Sequence, residues 1–148
     1  MNGTEEQWEK EYRKERMREA KYMVQDYVGA KLRVKRYPLK RPTFFKQMSI
    51  SLDNYENTGF IDYDTELEKH LQTDDAIFLH EYINDMLTVW LVERIIASTD
   101  NEITKQIAED TIIKGKKCSD LEEKYGLKTR AIQARKRSVI KRIADCLG

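Results

Sequence analysis

The chain is short of the residues that build cross-links and cofactor sites. Its 148 residues include two cysteines and two histidines. Cys118 and Cys146 have no close-spaced partner, and His70 and His80 complete no metal-ligand spacing with them. Reduced, inert thiols and no bound metal are therefore expected. Six glycines are too scattered to form a phosphate-cradling loop, and no nucleophile–base signature appears. Acidic pairs such as Asp62 with Asp64 and Asp74 with Asp75 lack the accompanying spacing of a metal-dependent nuclease. The chain thus reads as a non-enzyme without a cofactor. No apolar run is long enough to span a membrane. The opening MNGTEEQWEKEYRKER lacks the apolar centre of a signal peptide. A cytoplasmic protein with no membrane partner is the expectation. No internal repeat or low-complexity stretch is present.

Charge is what the chain has in abundance. Charged residues make up 36 % of it, yet the net charge is +1. The balance hides segregation. Residues 1–48 carry 13 Lys or Arg against 7 Asp or Glu. Residues 49–113 carry 3 against 15, and residues 114–148 carry 11 against 4. Two basic ends around an acidic middle suit a protein that meets nucleic acid at its ends. The middle then faces a basic partner or repels DNA and fixes orientation; alternatively, it neutralises the ends within the fold.

With apolar residues at 40 %, a core can form, and the patterning divides the chain into three stretches. Residues 1–28 read as an amphipathic helix starting near Thr4, with Trp8, Tyr12, Ala20, Met23 and Tyr27 on one stripe. The stripe packs on the domain or serves a partner helix. Gly29 closes this helix in the expectation. Residues 29–73 then form a basic arm and irregular linker, with no acid between Ala30 and Met48 and with Pro38 and Pro42 opposing a continuous helix. Met48 to Leu52 alternates like one short strand, which alone supports no sheet. Residues 74–148 form a helical core. Its first helix, 74–97, sets Leu79, Ile83, Met86 and Trp90 on one face and His80, Glu81, Asn84, Asp85 and Thr88 on the other. Beyond Thr88 the polar face disappears. Leu91, Val92, Ile95 and Ile96 then lie either at the centre of the fold or in a homo-oligomer interface. Thr99 and Glu102 offer a capping box for a helix over 101–113, which turns Ile103 and Ile107 inward and breaks at Lys114-Gly115-Lys116.

The remainder of the chain is organised around residues 118–143. Ser119 and Glu122 suit a capping box, and Leu121 and Tyr125, four apart, share a face. Gly126 supplies the positive φ that ends a helix abruptly, and Leu127 is the apolar plug after the turn. Thr129 starts a second helix with Ile132, Val139 and Ile143 inward. At about 100° per residue, Arg130, Gln133, Ala134, Arg137 and Lys141 then point outward. This is the spacing of a helix-turn-helix, whose second helix enters the DNA major groove. Arg bridges guanine O6 and N7, Gln pairs with adenine N6 and N7, and Ala134 permits close approach or contact with a thymine methyl. Arg130, Gln133, Ala134 and Arg137 are expected to read bases and Lys128, Arg135, Lys136, Lys141 and Arg142 to hold the backbone, with Thr129 completing the expected DNA-binding set. The bland alternative is a surface helix with a solvated basic face.

The stretch KGKKCSDLEEKYGLKTRAIQARKRSVIKRI resembles the promoter-binding C-terminal domain of bacterial sigma factors. It also resembles small phage late-gene regulators of the ArpU and RinA kind, which share that module. About 35 residues, from Ile112 onward, carry the likeness. The family commonly has Ala where Glu122 stands, a capping Ser where Lys128 stands and an apolar residue near Lys136. Here the cap falls to Thr129, and either the inner face is interrupted at Lys136 or the Lys136 stem snorkels along it. The expectation is an all-α fold with a C-terminal helix-turn-helix. The resemblance implies a sequence-specific, double-stranded-DNA-binding transcription regulator of phage or mobile-element type. It acts in the bacterial cytoplasm, nucleoid-associated, with RNA polymerase as a further partner in the sigma-like version. The alternatives are an oligomeric DNA adaptor for packaging or replication, and a protein-interaction inhibitor that mimics DNA with its acidic middle.

Overall fold

A computed structural model of the chain describes residues 2–40, 42 and 74–147. The fold is all-α, with no strand among the described residues. Helix α1 covers Asn2–Lys40, and α2 covers Asp74–Ala97. Helix α3, Glu102–Ala108, continues into a π-helical turn, Glu109–Ile113. A 3-10 turn, Cys118–Leu121, leads into the one-turn helix α4, Glu122–Tyr125. Helix α5, Thr129–Cys146, closes the sequence of elements. No helix among the described residues is long and apolar enough to cross a membrane.

The chain divides into two compact units, one of Met1–Gly29 with Thr88–Gly148, the other of Ala30–Leu87. In the first, α1 contributes Ala20, Val24 and Tyr27 to a buried cluster. Val92, Ile95 and Ile96 of α2, Ala108 and Ile112, and Val139, Ile140, Ile143 and Ala144 of α5 complete it. Val92, Val139 and Ile143 are wholly inaccessible. Each such aliphatic side chain contributes about 1.5–3 kcal/mol by leaving water. The apolar second half of α2 thus resolves to the centre of this unit: Val92, Ile95 and Ile96 are buried, and Leu91 packs against them. The homo-oligomer expectation loses the side chains on which it rested.

The second unit has its own cluster, in which Tyr37, Phe78 and Leu79 are buried and Tyr82 and Ile83 pack around them. Phe78 and Tyr82 both meet the Tyr37 ring edge-on, at 4.8 and 5.6 Å between centroids. Asp85, expected on the polar face of its helix, is 8 % exposed. Arg33 grips both its carboxylate oxygens, Nε to Oδ2 at 2.9 Å and Nη2 to Oδ1 at 3.0 Å. Tyr37 donates to the same Oδ2 at 2.7 Å. A buried carboxylate is tolerable when its lone pairs are filled in this way. Burial first, and then the hydrogen bond to Asp85, push the Tyr37 hydroxyl up to about 12.

Several expectations need correction. Helix α1 does not stop at Gly29; it continues through the residues expected to begin an irregular arm, with Pro38 inside it. A helical Gly costs roughly 1 kcal/mol relative to Ala, and the burial of Ala30 and Tyr37 on either side of residues 31–36 offsets it. The arm beyond Lys40 and the short strand at 48–52 lie outside the described residues, apart from the helical Pro42. Trp8 and Tyr12 do not join the stripe. They are 64 % and 39 % exposed and stack on each other at 5.4 Å. Ile103, expected inward, is likewise exposed, as are Met86 and Trp90 of the apolar face of α2. Helix α3 is capped by Asn101, whose Oδ1 accepts from the Thr104 N–H at 3.0 Å. Thr99 instead donates to the Ile95 carbonyl at 2.9 Å.

Candidate nucleic-acid interface

The segment around Gly126 has a small core of its own. Ile107, Leu121 and Ile132 are buried together, with Cys118, Tyr125 and Leu127 packed around them. Leu121 and Tyr125 therefore share a face as their spacing requires, and Leu127 seals the turn. Gly126 sits at φ 64° and ψ 30°, and its N–H bonds back to the Glu122 carbonyl. An L-residue is disfavoured there by its own Cβ.

How the second helix begins differs from the sequence expectation. The residue before α5 is Lys128, which offers no acceptor, and its side chain makes no cap. Ser119 makes no cap either, because the chain enters this segment through a 3-10 turn after Lys117. The missing acceptor comes from Glu122. Its Oε2 receives the Thr129 N–H at 3.1 Å. Glu122 stands in α4, so the first helix caps the second across the turn and places a negative charge at its N-terminus, where the helix dipole favours it.

Along α5, Ile132, Val139 and Ile143 are fully buried. Arg130, Gln133, Ala134, Arg137 and Lys141 are all exposed, and Lys128 is exposed just before them. The division into inner and outer faces thus matches the periodicity. Thr129 and Lys136 are half-buried. Arg135 and Arg142 are already engaged within the chain. Arg135 Nη1 donates to Asn101 Oδ1 at 3.1 Å and Thr104 Oγ1 at 2.9 Å. Arg142 donates to Thr99 Oγ1 and Ser98 Oγ, each at 3.1 Å. Their acceptors are neutral, so both positive charges persist on this side of α5, but these donors tie the helix to the corner between α2 and α3.

Sequence reading missed the group that anchors the first helix of the pair. Asp110 is 1 % exposed, in the π-helical turn. Its Oδ2 accepts from Lys124 Nζ at 2.7 Å and closely from the Tyr125 hydroxyl. Lys114 and Lys116 approach Oδ1 at 3.6 and 3.8 Å. Burial alone would push this carboxyl up. The hydrogen bonds from Lys124 and Tyr125, with the charges of Lys124 and Lys116, outweigh it and hold the group below its ordinary value. Burial, and then Asp110 itself, push the Tyr125 hydroxyl up. One signal was legible in advance: an acid followed by a run of lysines, Lys114, Lys116 and Lys117. Part of the acidic middle is therefore neutralised inside the fold, at Asp110 and at Asp85.

No family model, no curated protein and no solved structure matches the chain.

Proposed function

We propose that the chain is a sequence-specific binder of double-stranded DNA, a transcription regulator of the sigma-like kind, with residues 118–143 acting as a helix-turn-helix. One observation carries the reading. The solvent face of α5 presents Arg130, Gln133 and Ala134 in its first two turns, opposite a wholly buried aliphatic face and directly after a glycine-hinged turn. The N-terminal part of a recognition helix is the part that reaches base edges. Arg and Gln are the side chains that read guanine and adenine there by paired hydrogen bonds. Lys128 and the charges of Arg135, Lys136 and Arg142 add the sequence-independent attraction to phosphate.

Selection of bound duplexes from a random library tests this reading. An enriched motif that Arg130→Ala relaxes at one position supports it. Equal retention of all sequences by wild type and variant would leave a phosphate grip, the property an adaptor for packaging or replication needs.

A further inference from the structure

The first unit carries a second cationic feature beside the outward strip of α5. A groove of about 580 Å³ lies between α1 and α5. Arg13 and Arg16 of α1, three apart and so on one face, line one side. Arg137 and Lys141 of α5, four apart, line the other. Met17 and Ala144 also line it, and both belong to the packing of the main core, so the groove has a firm apolar base. Asp145 is the single acid in the lining, against four cations.

Arg16 carries the decisive detail. Its guanidinium lies over the Tyr12 ring, 4.7 Å from the centroid. Its Nε is buried and has no hydrogen-bond partner. Native structures rarely leave a buried donor unpaired, and a water or an ion can supply the missing acceptor. Arg13 is held only loosely, by an exposed contact of 3.7 Å with Glu9. A guanidinium fork matches the oxygens of a phosphate, and three forks with an ammonium between the two helices surround one.

We infer that this groove holds a phosphate of the DNA backbone, making Arg13 and Arg16 a clamp in α1 that works beside the reading helix. The inference rests on the DNA-binding reading above. Arg137 and Lys141 belong both to the outward strip and to the groove. They therefore hold phosphate, and base reading falls to Arg130, Gln133 and Ala134 nearer the start of α5. The carboxylate of Asp145 disfavours a free phosphate dianion more than the singly charged diester of a nucleic-acid backbone.

The test uses the full chain, a selected duplex and a scrambled one, titrated over a range of salt concentrations. Arg16→Gln weakens binding to both duplexes alike and lowers the slope of log affinity against log salt by about one. Arg13→Gln does the same, and its exposed position keeps the fold intact if the Arg16 variant loses it. In the wild type, the Nε–H resonance of Arg16 shifts on adding duplex. Wild-type binding with unchanged affinity and slope in both variants, and a stationary Arg16 resonance, overturns the clamp and leaves the DNA-binding reading standing. Failure of the wild type to bind either duplex removes both. An equal shift of the Arg16 resonance by inorganic phosphate overturns the backbone assignment in favour of a free-anion site.

Discussion

Gly126→Ala separates two accounts of the turn by the sign of its effect. A Cβ added at Gly126 meets nothing within 4 Å, so no clash with a neighbour enters the energy. What remains is the backbone. At φ 64°, an L-residue costs about 1–2 kcal/mol relative to glycine. Were the φ negative in solution, the same change would instead stabilise by about 0.4–1 kcal/mol, through lost freedom in the unfolded chain. Urea denaturation of both proteins measures the difference, and the slope of the transition shows whether the unfolded state has changed. Gly126→Asn is expected between glycine and alanine, because Asn tolerates the left-handed region better than Ala. Gly126→Val, β-branched and poorly suited to positive φ, is expected beyond alanine. Duplex affinity, measured well below each melting point, should fall in the same order, because α5 starts three residues later. A neutral or stabilising Gly126→Ala would refute the turn geometry.

Individual contacts set the other expected outcomes. Glu122→Ala should cost about 0.5–2 kcal/mol by uncapping α5, and Glu122→Gln less, since an amide oxygen still accepts; thermal melts of the two variants measure this. Asp110 has a depressed folded-state carboxyl, so its stabilisation is fully present above the unfolded value near ~3.9 and is lost as pH falls through the lower folded value. The stability gap between wild type and Asp110→Asn, followed by urea midpoints, should therefore be full at neutral pH and shrink below about pH 4. Arg142→Ala should lower stability by about 0.5–1.5 kcal/mol through its lost ties to Ser98 and Thr99. Arg130→Ala should leave stability within about 0.5 kcal/mol and change binding instead; denaturation and duplex titration on the same preparations separate the two arginines.

The parts of α5 legible in the sequence were those decided locally. Ile132, Val139 and Ile143 recur at helical spacing, and one face of a helix must be buried, so their burial and the exposure of Arg130, Gln133 and Arg137 come together. Gly126 was legible because a glycine between two apolar helical patterns has a backbone reason to be there. The misread positions depend on partners distant in sequence. Nothing near Asp85 announces that Arg33 and Tyr37, 52 and 48 residues away, will bury it. Gly29 and Pro38 look like helix breakers until the burial of Tyr37 outweighs them. Glu122 looks like half of a capping box with Ser119, because the sequence does not reveal that the preceding turn is 3-10 and that the N–H needing its carboxylate is that of Thr129. The groove shared by Arg13, Arg16, Arg137 and Lys141 is visible only once α1 and α5 are side by side.

The π-helical turn at Glu109–Ile113 gives the chain a sensitivity to counting. Its backbone bonds reach five residues back, as Lys114 N–H does to the Glu109 carbonyl at 3.0 Å. Such a turn is equivalent to one residue inserted into an α-helix. Ile107 before it faces the small core beneath the Gly126 turn, and Ile112 within it faces the main core. Asp110 between them must meet Lys124 and Tyr125. Remove one residue here and the segment relaxes to α geometry; the flanks keep their phase, but the positions inside the turn no longer fall where the wider turn placed them. Asp110 and Ile112 could not then both keep their partners. Length, as much as residue type, is thus under constraint between Ala108 and Lys114, and drift in this stretch would proceed by substitution while insertions and deletions collect elsewhere.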